Sequence, residues 1–460
     1  MNKSEIEKLF LQAQECNKKE LFSKSLELLE KIILIDPEFP DIYTEFGNAY
    51  FGLNRFEEAV ESYKLSCRIN PNSIEEYIRL GIAYHKLHDH EKAIEAYRAA
   101  IKCNSAAPAP YYNLARLYDE LGRFTEAIDA YKQTIVLDPA MPDAHYYLGI
   151  VYRKQQKYGE AIKTLKKAFT LNPDDAIVQN AIAHIYMEQG NYQKAIETLR
   201  EAIKIKPDYA SAYFNLGNAY NTVGNMQEAI LSYQSAIHYK PDYADAYNNL
   251  GTVYDECGKL KEALAAYEKA VYYDPNNPQQ YDNIGLIYGK QGKYKHAIKA
   301  HKHALEIDPH CFLSRYNLGC TYSDCGMHKE AISEYMIALK INPEDSDSWF
   351  NLGYSYYQLG EYEEAIMAYQ HTLSLTPDEA EIYGNLGFCY FHSKRFDDAI
   401  TAFIRVAEID ANYPDSEMVY TLALSYHAAN NPTAAKEQYN ILLEIDKKRA
   451  RNLASIITRK

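Results

Sequence analysis

The chain has 460 residues, of which 47% are apolar and 24% charged, and its net charge is −14. This is the composition of a folded protein, and the acidic balance argues against broad nucleic-acid binding, which needs a basic surface. No apolar run approaches the roughly 18 residues that span a membrane, and the opening MNKSEIEKLFLQAQEC lacks the apolar core of a signal peptide. Tyrosine is over-used, at 44 against 15 Phe and 1 Trp. Such rings suit a thin structure in which each has one dry end and one wet end. Eight cysteines, at 16, 67, 103, 257, 311, 320, 325 and 389, form no CxxC pair. They read as free thiols in a reducing compartment, and a cytoplasmic protein is expected.

A 34-residue period organises the chain. Thirteen units follow, starting near 6, 40, 74, 108, 142, 176, 210, 244, 278, 312, 346, 380 and 416. Position 8 is always Gly or Ala, from Ala13 through Gly47 to Ala423. Position 11 is Cys16 in the first unit and Tyr in the other twelve; position 20 is Ser25 and then always Ala. Position 32 is Pro in ten units. Positions 4, 7, 8 and 11 share one face of a first helix, and 20, 24 and 27 share one face of a second. Small residues at 8 and 20 let the two helices approach closely, with the Tyr at 11 and the aromatics at 24 filling the wedge. The Pro ends the second helix. The Asp or Asn after it, as in KPDYADAY (240–247), is placed to cap the next first helix. One unit cannot bury its own apolar face, so the units must stack.

The units are not identical. The first carries Leu9, Cys16, Ser25 and Leu29 at signature positions, which suits an N-terminal cap. The sixth departs with Gln179, Ala181 and Leu199, the ninth with His301 and the tenth with Arg315. The thirteenth starts two residues late, so ANYPD (411–415) holds a small insertion. Ala450, Leu453 and Ile457 then form an apolar stripe. The expected organisation is one repeat array over 1–446 and a basic C-terminal capping helix and tail over 447–460.

This pattern resembles the tetratricopeptide repeat family: an aromatic at position 4, Leu-Gly at 7–8, Tyr at 11, Ala at 20, an aromatic at 24, Ala at 27 and Pro at 32. The resemblance covers residues 6 to about 446. It implies an all-α solenoid, a right-handed superhelix of about thirteen helix–turn–helix units, that binds other proteins in a groove lined by first helices.

Position 6 is the polar puzzle. It is Asn113 in the fourth unit and then Asn215, Asn249, Asn283, Asn317, Asn351 and Asn385 without a break. On an ideal helix it points about 200° away from position 8, toward the groove. An amide can pair with both groups of a peptide bond, so a row of amides can hold an extended chain without reading its side chains. With helices roughly 8–10 Å apart and about 3.3 Å per extended residue, one Asn serves about three ligand residues. The arrangement is similar to the asparagine ladder in the repeat region of O-GlcNAc transferases, which implies backbone-directed peptide binding. Two readings stay open: a working ladder, or a solvated polar position near a helix start. Tyr112, Tyr146, Phe214, Tyr316 and Phe350 at position 5 are candidate shallow pockets or packing between units, and Asn218 at position 9 is a further peptide-binding candidate. Position 2 is acidic in eight units, which serves the helix dipole or favours cationic ligands. The Lys and Arg set with which related co-chaperones grip a C-terminal carboxylate is missing, Arg79 being the sole basic residue at position 6.

Other chemistry finds little support. His296, His301, His303, His310 and Cys311 cluster in sequence without HxxxH or CxxC spacing; His301 falls on the core side of its helix, and the group reads as structural polar residues rather than a metal site. There is no Gly-rich phosphate loop and no GxSxG. The expectation is a non-enzymatic scaffold or adaptor with a protein or peptide partner, no cofactor, no metal, no nucleic acid and no membrane insertion. The alternative is a structural subunit of a larger assembly, or a homo-oligomer, using its outer helix faces and terminal repeats.

Overall fold

The computed structural model describes residues 3–37, 39, 41–410 and 415–457. Among them are 27 helices and no strand. The chain divides into two compact units, Met1–Glu228 and Ala229–Lys460. The first holds six helix pairs, from Lys3–Lys18 with Phe22–Ile33 to Ala176–Glu188 with Tyr192–Ile205, and then Ala210–Thr222. The second holds six more, from Ala244–Glu256 with Leu260–Tyr273 to Ser416–Ala428 with Pro432–Ile445, and a closing helix, Lys447–Ile457. The helix Met226–Tyr239 spans the division. In each unit a helix packs most extensively on its partner in the pair and next on the adjoining pair, as an α-solenoid does.

Close approach within a pair rests on position 8. A Cβ built on Gly251 would lie 2.7 Å from Tyr267 Cε1, and one on Gly387 would lie 2.5 Å from Phe403 Cε1. Opposite them the position-20 alanines, among them Ala59, Ala93 and Ala263, are fully buried. The rings at position 24 fill the space this leaves, and Tyr97, Tyr131, Tyr335, Tyr369 and Phe403 are at most 2% exposed. In the first pair Ser25 stands for Ala. Its hydroxyl donates to the Ala13 carbonyl at 3.0 Å, so the polar group is satisfied inside the contact.

The turn within each pair has one fixed geometry. Position 15 is left-handed in all thirteen pairs. It is glycine in seven, and Glu20, Asn54, His88, Gln156, Lys394 and Asn430 take φ of 56–59° in the other six. The next residue often lays a cation over the position-11 ring, as Arg55 does over Tyr50 at 4.6 Å and Arg395 over Tyr390 at 4.5 Å.

Position 4 reaches back to the turn between pairs. Tyr43, His145, Arg315 and Trp349 each hydrogen-bond the carbonyl of the Pro six residues earlier, at 3.3, 3.2, 3.3 and 2.9 Å. Arg315 therefore does the work of the usual aromatic, and its other nitrogen meets Glu334 at 2.7 Å.

The capping expectation needs correction. In KPDYADAY the N-cap residue is Tyr243, with no side-chain cap bond. Asp242 lies one residue too early, and its backbone carbonyl accepts from Ala244 N instead. Side-chain caps form where the polar residue falls directly before the helix, as at Asp175, Asn277, Asp345 and Asp415. The insertion read at 411–415 lies, apart from Asp415, outside the described residues, as do residues 458–460 of the tail. In the closing helix Ala450 and Leu453 are fully buried, and Ile457 packs on the same cluster.

Candidate functional site

The first helices of each unit share one face, and position 6 lies on it. Asn215 in the first unit and Asn249, Asn283, Asn317, Asn351 and Asn385 in the second are all half-buried, as is Asn113. Ideal-helix geometry turns this position wholly outward; stacking covers part of it, because the next first helix lies alongside.

That stacking supplies partners 35 residues back. Asn283 donates from Nδ2 to Asn248 Oδ1 at 2.9 Å, and Asn351 donates to the Tyr316 hydroxyl at 3.1 Å. In the first unit Asn215 donates to Asn180 Oδ1 at 2.9 Å. Each bond joins position 6 of one repeat to position 5 of the repeat before. Each uses one N–H and leaves the amide oxygen and the second N–H to other groups. Asn249 bonds the Tyr233 hydroxyl within its own unit. Asn317 and Asn385 make no side-chain hydrogen bond among the described residues. The reason lies at their position-5 neighbours: Asp282 is engaged elsewhere, and Phe350 has no acceptor. Asn113 turns back on its own helix and donates to the Ala109 carbonyl at 2.9 Å. Asn180 and Asn248 were not among the expected binding residues; polar pairs spaced by 35 rather than 34 are the signal that finds them.

The position-5 rings are half-buried, and most of them pack on the position-24 side chain of their own repeat. Tyr112 lies 6.2 Å from both Tyr131 and Tyr147, Tyr316 lies 6.2 Å from Tyr335, and Phe350 lies 5.6 Å from Tyr369. Tyr146 packs on the cluster around Leu165 and Ile182. Burial raises the phenols of Tyr112, Tyr146 and Tyr316 above the usual tyrosine range, so they stay neutral. Phe350 also lines a cavity of about 270 Å³ with Asp347, Thr372 and Glu381. Phe214 and Asn218 are half-buried on first helix Ala210–Thr222.

His301 is in the core, on the side its helix position implies. It is 0% exposed, and its Nδ1 lies 2.8 Å from Asp282 Oδ1. Ser314 donates to the other oxygen of the same carboxylate. Elsewhere the position-24 hydroxyl reaches position 9, as from Tyr63 to Asn48 at 2.9 Å. Position 9 is Leu286 here, so the polar partner is found at position 5 instead. Among the described residues no three His, Cys, Asp or Glu are grouped to hold a metal ion, and the eight cysteines are free thiols.

Grooves also open between first and second helices. One of about 510 Å³ in the second unit is lined by Leu339, Leu352, Tyr356 and Trp349, with Met336 and Met367 exposed at its edges by 47% and 61%.

The family model of the C-terminal domain of cilia and flagella-associated protein 70 matches residues 39–248. Tetratricopeptide repeat models match 244–277, 283–311, 314–345, 334–367, 353–394 and 378–448. No curated protein matches. Among solved structures the chain is similar to MamA, at 34% identity over 35% of this chain and 95% of that one, with a TM-score of 0.34. It is similar to YrrB, described as a TPR protein with an unusual peptide-binding site, at 24% identity over 44% of this chain and 99% of that one, with a TM-score of 0.36. The Cut9–Hcn1 hetero-tetramer of the APC/C gives 15% identity over 91% of this chain and 96% of that one, with a TM-score of 0.41. No helix among the described residues is long and apolar enough to cross a membrane. The repeat fold is generally a non-catalytic scaffold that binds protein or peptide partners. From the 34-residue pattern to the repeat models that follow one another along it, the chain belongs to the tetratricopeptide repeat family.

Proposed function

We propose that the chain is a non-enzymatic cytoplasmic scaffold, a single array over 1–446 closed by 447–460, that holds an extended segment of a partner protein on its first-helix face. The contact is made by the amides of Asn249, Asn283, Asn317, Asn351 and Asn385 in the second unit, which grip the main chain of the segment. One observation carries the reading. Five successive first helices present an amide at one register, and each internal bond uses only part of it. At one Asn per about three residues, five rungs serve about 12 residues of ligand. Phe350 and Tyr316 flank the row and give it shallow apolar contact. In the first unit Asn215 and Asn113, with Asn218, Phe214, Tyr112 and Tyr146, make a separate and shorter surface of the same kind.

Selection from a display library of random 15-residue peptides tests the reading. It is supported by binders that tolerate side-chain changes but lose affinity when alternate backbone amides are methylated. Binders indifferent to N-methylation contradict it.

The apolar groove beside Trp349, with two exposed methionines, favours a second reading as an assembly subunit that docks folded partners or another copy there. Light scattering at micromolar concentration separates the two. A stable oligomer that Met367→Asp dissolves supports the second reading, and a monomer favours the first.

A further inference from the structure

A cavity of about 580 Å³ opens on the first-helix face of the first unit, between the second and third repeats. Four carboxylates line it, on Asp41, Glu45, Glu75 and Glu76, against one guanidinium, that of Arg79. Four less one leaves a net of three negative charges.

The position of Glu76 is the unusual feature. Position 3 faces the preceding repeat and is buried. Other repeats place apolar residues there, such as Ile42, Ala144, Val178 and Ile382, or the neutral Gln280, Ser314 and Ser348, and Glu76 is the sole acid at this position in the array. Glu76 is only 7% exposed. Oε1 accepts from the Thr44 hydroxyl at 2.9 Å, and Thr44 in turn shares a 2.7 Å hydrogen bond with Ser66. Oε2 has no hydrogen-bond partner. Thr44 and Ser66 stand where seven of the other repeats have an aromatic and seven an alanine, and here they form a small polar network that holds the carboxylate in place. A buried carboxylate oxygen without a donor is costly, and packing gains nothing from it that Ile or Val would not supply. The buried Cys67 thiol is pushed up to about 12, first by burial and then by the charge on Glu76.

The neighbours compensate the charge only in part: Arg79 feels Glu76 electrostatically but makes no hydrogen bond to it. The Glu45 carboxylate accepts only neutral amides, from Gln14 at 3.2 Å, Asn17 at 2.6 Å and Asn48 at 3.4 Å. Asp41 accepts from the Asn70 amide at 3.3 Å. Arg79 is committed to Glu75 at 2.8 Å and to Asn48 Oδ1 at 2.7 Å. The corresponding cavity in the second unit is about 270 Å³ and has Ile382 in place of Glu76 and Phe350 in place of Thr44.

We propose that this cavity receives a basic side chain, lysine or arginine, presented by a protein partner, with Glu76 and Glu45 as its principal anions. The cation completes the hydrogen bonding of Glu76 Oε2 and offsets the local negative charge. The site does not depend on the amide row, which lies in the other unit. It shares with the proposed function only the premise that the ligand is a protein segment.

The test uses the full chain labelled at isoleucine methyl groups, because Ile69 lines the cavity. It is titrated with blocked acetyl-Gly-Lys-Lys-Gly-amide and, separately, with the Gln-Gln analogue and with magnesium chloride alone. The lysine peptide is expected to move the Ile69 methyl signal saturably and to weaken several-fold between 50 and 300 mM salt. Glu76→Gln and Glu45→Gln are each expected to weaken it at least tenfold. An unmoved Ile69 signal, an equal response to the Gln-Gln peptide or to magnesium, or full affinity in a folded Glu76→Gln chain overturns the proposal. If Glu76→Gln fails to fold, Asp41→Asn at the exposed rim decides: about threefold weaker binding supports the site, and unchanged binding refutes it.

Discussion

Removing Asp282 alone should damage the second unit far more than removing it together with His301. The Asp282 side chain is 6% exposed and holds His301 Nδ1 at 2.8 Å, and it also accepts from Ser314. Asp282→Ala strands a His301 ring that is 0% exposed and whose Nε2 already has no partner. Breaking a buried pair in this way costs about 3–5 kcal/mol. His301→Leu leaves Asp282 buried with Ser314 alone and costs about 3 kcal/mol by the same argument. The double variant leaves an apolar pair, and the fold already contains its shape. Leu165 stands at position 24 opposite Gly149 in the fifth repeat, as a Leu at 301 would stand opposite Gly285. Its cost should be about 1–2 kcal/mol, which reflects mostly the smaller volume and the loss of the Ser314 bond. The coupling between the two sites is then about 4–7 kcal/mol. Urea unfolding followed by the emission of Trp349, the single tryptophan, reads it two repeats away. Hydrogen exchange over Pro278–Lys290 and Phe312–Asp324 reads it on the spot. Single costs that simply add in the double variant, to within about 0.5 kcal/mol, refute the reasoning.

Gln156 adopts φ of 58° where seven other repeats have glycine. Gln156→Gly should therefore stabilise by about 1 kcal/mol and raise the thermal midpoint, and a lowered midpoint contradicts this. Burial pushes the Cys67 and Cys389 thiols up to about 12, whereas Cys257 is exposed. At pH 8 about one thiol in 10,000 at a value of 12 is a thiolate. A thiol reagent should label Cys257 in the folded chain and reach Cys67 and Cys389 only on unfolding, as mass spectrometry of the labelled peptides would check. Arg315→Met leaves Glu334, whose side chain is 16% exposed, without its cation. It should cost about 2–3 kcal/mol, most of it recovered by adding Glu334→Leu, as urea midpoints would measure.

The all-α repeat architecture was legible because close packing restricts residue type at fixed spacing. A Gly or Ala at position 8 and an Ala at position 20 admit one kind of contact, with a large ring beside it. Partners between repeats were not legible. A column of Asn at position 6 reveals residue type, but not that Asn283 gives one N–H to Asn248 in the repeat before. That pairing depends on the stacking offset, which a 34-residue alignment hides by one residue. Arg315 looked like a departure because the alignment records an aromatic, whereas the fold asks for a donor to the Pro309 carbonyl. His301 looked anomalous for a similar reason: its partner had moved from position 9 to position 5. At position 15 the turn imposes left-handed geometry on Gln156 and Lys394 as on glycine, so composition alone could not reveal it. Glu76 is conspicuous only once position 3 is known to be buried.

The most direct test of the amide row uses the two members with no internal partner, because changing them leaves the packing alone. Asn317→Ala and Asn385→Ala are combined in the full chain, and calorimetric titration measures its affinity for a peptide selected against the native protein. The thermal midpoint should stay unchanged and binding should weaken at least tenfold. Native affinity in the double variant would contradict this, and the row would then be a solvated surface.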